Sequence, residues 1–377
     1  MNTTSIKVIF IISSLLLLIT PCHSKSNIIP RSDASAFRNN INNYGMMSRS
    51  IMISSAAYLA GTRSAEAISS TPSTLYSSCE CKNPVKCLCQ KEYNPQNERI
   101  YDTARRSFLP AAAAKKLTSE LAGRKVVVIG EVHSNPCHHH CEFEVLRALA
   151  DSNNNDVVIG LECFYRQHQN ALDRYVFEHK NIGTLKEETK WDTSWGYDLN
   201  YYAKLFQFAK ARGIRLLGLN IPYPVAQYVG QEGLDALPDK MKGLIPAIDV
   251  DDKVHKDQFM NLIGAGSGGH GGERSDQLER MYQVQCLWEE YMSQSAADYI
   301  QNNPQTIVCV IAGLGHIVGR RGIPDRIKKK VSGDINPFVI VPQQVDWSVE
   351  TGLPNIDAPL TVEECDWAWY TESAEST

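Results

Sequence analysis

The chain has 377 residues, 43% of them hydrophobic and 21% charged, and a net charge of −4. That length suffices for a large core in one or two domains, and the composition is that of a globular protein. The mild acidity leaves no electrostatic footprint for nucleic acid. The short run Arg326-Ile327-Lys328-Lys329-Lys330 reads as a solvated helix end, not a phosphate-tracking surface.

In chain order, the first 67 residues differ from the rest. An apolar stretch, "IFIISSLLLLIT" (9–20), follows Lys7. It suits the core of a signal peptide and is short for a bilayer span. Residues 25–61 are rich in Ser, Asn and Ala and hold one acid, Asp33, the chemistry of a transit peptide. Ala34-Ser35-Ala36-Phe37 is a small-x-small cleavage pattern. It resembles the bipartite plastid-targeting sequences of algae with secondary plastids; a cut after Ser24, giving plain secretion, is the alternative. A second apolar stretch, 51–61, precedes Ala65-Glu66-Ala67. It reads either as a third signal, for passage into the thylakoid lumen or association with the thylakoid membrane, or as the tail of the transit peptide, which would leave the protein in the stroma.

Residues 68–103 form a cysteine-rich arm, with Cys79, Cys81, Cys87 and Cys89 as two C-x-C pairs. Disulfides, a structural metal site and free thiols are all compatible with that spacing. Residues 104–345 are read as one α/β domain and 346–377 as a polar tail. Apolar runs at 125–130, 156–162, 214–220, 305–313 and 337–342 predict buried strands. Helical patterns at 104–123, 140–151, 166–178, 196–213, 274–303 and 323–331 separate them. Such alternation predicts a mostly parallel β-sheet flanked by helices, with a helical insertion. The glycine-rich segment 264–276 reads as a flexible loop carrying His270, a solvated residue or one of a lid. Cys137 and Cys141 flank three histidines and bridge or stay as thiols; Cys163 and Cys309 lie in apolar runs and read as core.

In a parallel sheet, ligands bind beyond the carboxyl ends of the strands. Four strands deliver polar groups there: Glu131 and His133 after the first, Glu162 after the second, Asn220 after the third and His316 after the fourth. Two carboxylates converging at one edge repel unless a cation or imidazolium lies between them. Glu131, His133, Glu162 and His316 therefore form a candidate catalytic or metal-binding set. The alternative is an ion-pair network without chemistry. Of His138, His139 and His140, one is expected to face the site, His138 or His139.

These residues also carry a resemblance. "VVVIGEVHSNPCHHH", "GLECFYRQHQNALDRYV", "WDTSWGYDLNYYAKLFQFAK", "LLGLNIPYPVAQYVGQEGL" and "CVIAGLGHIVGRRGIPDRI" together, in order over about 124–342, resemble the ChaN-like family. That family belongs to the haem-binding-uptake/Tiki superfamily, which includes erythromycin-esterase-like hydrolases. The resemblance implies an α/β fold centred on the Gly-Glu-x-His and Gly-x-x-His motifs. It adds Arg166 and Gln169 to the set, and Asn220. Arg166 suits a haem propionate, and Tyr165 is among the tyrosines that suit haem iron. The cysteine-rich arm, the glycine loop and Cys163, where a methionine is common, depart from the bacterial pattern.

Three functions are compatible with this sequence. One is binding of haem, another tetrapyrrole or iron in a plastid. A second is hydrolysis dependent on a divalent metal ion held by glutamate and histidine. The third is a scaffold whose polar cluster only locks strand ends.

Overall fold

The structure, a computed structural model, describes residues 97–110, 117–263 and 273–372. The expected presequence, the four arm cysteines and His270 lie outside them. Among the described residues no helix is long and apolar enough to cross a membrane.

Eight strands form one sheet in the order β2-β1-β8-β7-β3-β6-β4-β5. They are β1 (Glu98–Asp102), β2 (Ser107–Phe108), β3 (Val126–Glu131), β4 (Val157–Tyr165), β5 (Arg215–Asn220), β6 (Ile307–Gly313), β7 (Phe338–Val345) and β8 (Trp367–Glu372). From β8 to β5 every neighbouring pair is parallel, and at one edge the pairs β8–β1 and β1–β2 are antiparallel, so β1 alone runs against the rest. The fold is thus the expected α/β class.

The sheet also reaches beyond 104–345. β1 belongs to the arm and β8 to the tail, and they pair with each other over Glu98–Asp102 and Trp367–Thr371. The helix expected over 104–123 is replaced at its start by β2, with a four-residue helix α1 (Leu117–Glu120) near its end. Pro110 blocks helix propagation between them.

The central strands are covered on both faces, and alternation decides which residue meets which layer. Val127, Ile129, Ile159, Leu161, Cys309 and Ile311 face one core. Val126, Val128, Val158, Val308, Val310 and Ala312 face the other. The first core is roofed by α2 (Pro136–Ser152), α3 (Gln169–Phe177) and α6 (Asn200–Arg212), with α4 (Ile182–Glu188) and α5 (Trp191–Ser194) beside them. The second is roofed by α10 (Glu273–Asn302) and α11 (Ile323–Lys330). The intervening helices are α7 (Tyr223–Glu232), α8 (Asp239–Lys242) and α9 (Lys253–Leu262).

α2 begins four residues before the expected 140. The Asn135 side chain accepts from the Cys137 amide at 2.9 Å, and Pro136 occupies the first turn. A capping Asn followed by Pro is a strong helix start. The early start puts all three histidines and Glu142 inside the helix. Cys137, Cys141, Cys163 and Cys309 are buried and form no disulfide among the described residues.

Candidate functional site

β6 lies between β3 and β4, so the ends of three central strands adjoin. Glu131 ends β3 opposite Gly313 of β6. By the two-residue alternation Glu131 follows Val127 and Ile129 onto the first face, and Glu162 follows Val158 onto the second. His133, just past β3, spans the rim between them. A Cβ placed on Gly313 would lie 3.1 Å from His133 Cε1 and 3.5 Å from Glu162 Oε2. The missing side chain at Gly313 is what lets these two groups approach.

On the first face, Glu131 Oε1 lies 2.6 Å from His133 Nδ1 and accepts from the Tyr202 hydroxyl at 2.8 Å. Trp195 donates its indole N–H to the Tyr202 oxygen at 3.2 Å. The His133 ring packs against Trp195 and Tyr197, with centroids 4.6 and 4.9 Å away. From α2, His139 Nδ1 lies 3.0 Å from Glu142 Oε2 and 3.5 Å from Glu131 Oε2. Burial, then repulsion from Glu142, pushes the Glu131 carboxyl up to about 7. Burial likewise raises Glu142 to about 7 and lowers His139 below its ordinary range. For His133 burial opposes charge, yet Glu131 outweighs it and the imidazole is raised.

On the second face, Glu162 Oε2 accepts from the Gly313 amide at 2.6 Å, and its Oε1 lies 3.5 Å from His316 Nε2. His316 Nδ1 faces Glu289 Oε1 at 3.4 Å. Glu289, fully buried on α10, also receives Gln285 Nε2 at 2.7 Å, Arg326 Nε at 3.2 Å and His255 Nε2 at 3.2 Å. Arg326 further pairs with Glu290. Burial disfavours both charges of the Glu162–His316 pair, but mutual attraction prevails. Glu162 is lowered to about 2 and His316 raised to about 10, helped by Glu289. Gln285 Nε2 also lies 2.9 Å from His316 Nδ1, so His316 sits between Glu162 on one ring nitrogen and Gln285 and Glu289 on the other.

The structure therefore brings Glu131, His133, Glu162 and His316 to one rim but divides them into two pairs on opposite faces. The other candidates do different work. Asn220 donates to the Glu162 carbonyl at 3.1 Å and caps the Ile221 amide, fixing the end of β5. Gln169 donates to Leu216 O and accepts from Gly218 N, covering the free edge of β5. Tyr165 donates to the Ser194 carbonyl at 3.0 Å. Arg166 is half-exposed and tied to Asp298 at 2.8 Å, so its charge is already matched. His138 Nδ1 accepts from the Val132 amide at 3.0 Å, which leaves His139 as the α2 histidine at the site.

Sequence reasoning missed Glu142, His255, Gln285, Glu289 and Arg326. Glu142 carried a signal, the i,i+3 spacing from His139 on a helix. Glu289 sits in "CLWEEYM", where two acids on an amphipathic helix read as its solvent face.

An α/β sheet whose carboxyl edge carries a buried glutamate–histidine array defines the class. The model of the family described as haem-binding uptake, Tiki superfamily, ChaN matches residues 117–327. That is more than half of the chain, and the chain belongs to this family. Its fold is similar to that of ChaN of Campylobacter jejuni, solved with cofacially bound haem. The two are 18% identical at a TM-score of 0.56, over 74% of this chain and 98% of that one. An erythromycin esterase in its open conformation is 14% identical at a TM-score of 0.38, covering 73% of this chain and 83% of that one. A type III effector is 14% identical at 0.37, covering 68% and 92%. No curated protein sequence matches the chain.

Proposed function

We propose that this chain binds haem or a related tetrapyrrole, with His133 as the iron ligand. One observation carries the reading. His133 Nδ1 is anchored on Glu131 at 2.6 Å, while Nε2 makes no hydrogen bond to a described residue. A carboxylate on one ring nitrogen orients the other for a metal and raises its basicity. The indole of Trp195 and the ring of Tyr197 beside the imidazole offer the flat apolar walls a macrocycle needs. Bound haem would supply an iron centre, and His133 Nε2 would hold it. Membership of the family adds support. Arg166 is not the propionate partner in this reading, because Asp298 already holds it.

Titrating haemin into the protein and following the Soret band tests the assignment. A saturable shift is expected, lost in His133→Ala and retained in Arg166→Ala. Unchanged haemin binding in His133→Ala would sink it.

A second reading, hydrolysis at the same rim, is supported by Glu131. A carboxyl held up to about 7 beside an imidazole suits proton transfer to and from water at neutral pH. Turnover of an ester or peptide that disappears in Glu131→Gln, with haemin binding retained, would favour it over the first.

The compartment we propose is a plastid. Its support is the Ala34-Ser35-Ala36-Phe37 pattern behind the apolar stretch 9–20. Residues 1–67 fused to a fluorescent protein in a diatom should label the plastid; secretion of the fusion would refute this.

A further inference from the structure

Beneath His133, on the first face of the sheet, acceptor groups converge without a donor. His139 Nε2 lies 3.0 Å from the His133 carbonyl, which can only accept. Nε2 therefore carries a proton, and in the neutral ring that burial favours Nδ1 presents a lone pair. That lone pair faces Glu142 Oε2 at 3.0 Å and Glu131 Oε2 at 3.5 Å. Glu131 Oε2 and Glu142 Oε1 have no hydrogen-bond partner, although the two residues are only 3% and 0% exposed. Buried carboxylate oxygens without partners are costly, so something positive belongs between them.

We propose that Glu131, His139 and Glu142 form a buried site for a divalent first-row cation. Their donor atoms lie within 4.8 Å of one another. Small side-chain rotations close that span around an ion about 2.1 Å from each ligand. One imidazole with two carboxylates suits Mn2+, Fe2+ or Zn2+, and two negative charges balance two positive ones. The supports of the ligands are already built. His139 is oriented by the His133 carbonyl, and Glu131 Oε1 is held by Tyr202 and His133. The competing arrangement is a proton shared between Glu131 and Glu142, consistent with both carboxyls being raised to about 7. This inference goes beyond the haem reading and does not depend on it, since the cation lies on the far side of Glu131 from His133.

The test uses the full chain, stripped with a chelator and titrated with Mn2+ under electron paramagnetic resonance. Mn2+ avoids the thiols of Cys79, Cys81, Cys87 and Cys89, which prefer softer ions. One Mn2+ per chain is expected. Affinity should fall by about tenfold or more in Glu142→Gln and in His139→Gln, with circular dichroism confirming that each variant is folded. Glu142→Asp, which keeps the charge on a shorter arm, should retain part of the binding. Haemin should bind Glu142→Gln as it binds the parent; if the parent binds Mn2+ but no haemin, only the haem reading fails. Absence of stoichiometric Mn2+, or Mn2+ affinity unchanged in Glu142→Gln, overturns the site. So does an infrared band of a protonated carboxyl that persists under saturating Mn2+ and vanishes in Glu142→Gln.

Discussion

The two faces of the sheet bury the same kinds of residue to opposite effect. On the second face, Glu162, His316 and Glu289 alternate in charge, and the strand amide of Gly313 and the guanidinium of Arg326 complete them. Every carboxylate there has a donor. On the first face, Glu131, His139 and Glu142 are as deeply buried, but only Tyr202 and His133 arrive with hydrogens, and both serve one oxygen. The comparison teaches that burial of glutamate and histidine does not by itself mark function. What matters is whether neighbouring elements bring a donor for each acceptor. By that criterion the second face is internally matched, and the first is where we place the proposed cation site.

The largest effect expected from breaking this contrast is on the paired side. His316→Ala leaves Glu162 and Glu289 facing each other without the imidazolium, and removing one partner of a buried pair costs about 3–5 kcal/mol. A denaturant midpoint that barely moves would show that the second face is not held by this pair. The pH dependence has a defined sign. A histidine raised from 6.5 to about 10 contributes stability present in full below 6.5 and lost as pH rises through 10. Glu162, lowered from 4.5 to about 2, contributes stability present above 4.5 and lost as pH falls through 2. His316→Ala should therefore flatten both limbs of the stability profile.

The first face should answer in the opposite direction. A carboxyl raised from 4.5 to about 7 costs the cation-free chain stability progressively as pH rises between those values. Glu142→Gln removes that cost and should stabilise the cation-free protein above pH 7 by up to about 3 kcal/mol. Thermal unfolding in chelator checks this, and a lower melting temperature for the variant would contradict it.

A smaller effect sharpens the role of His133 between the faces. Its imidazole is raised by Glu131, and a proton competes with iron for Nε2. Haemin affinity should weaken as pH falls through that raised range, and weakening should begin at lower pH in Glu131→Gln. A pH-independent Soret titration would remove His133 from the ligand set. The smallest effect is local. Asn135→Ala removes the cap of α2 and should cost about 1 kcal/mol, with a matching loss in Mn2+ affinity, because His139 and Glu142 lie in the first two turns.

Much of this was legible in the chain. The apolar runs that became β3 to β7 announce buried parallel strands, and the polar residues at their ends announce an edge. The helix start at Asn135-Pro136 is equally written, but the histidines after it carry no apolar period, so the helical pattern is plain only from 140. β8 was missed for another reason. "WAWYTE" acquires a sheet position by pairing with β7 on one side and with β1, some 270 residues earlier, on the other, and no local pattern reports that.

By itself the sequence determined β3 to β7, their polar endings and the residue types at the rim, because side-chain period and hydropathy are local properties. Only the tertiary structure decided which glutamates receive donors. That depends on Arg326, His316 and Gln285 reaching one face while, among the described residues, Tyr202 and His133 both serve a single oxygen on the other, and those arrivals are set by how distant helices pack over the sheet.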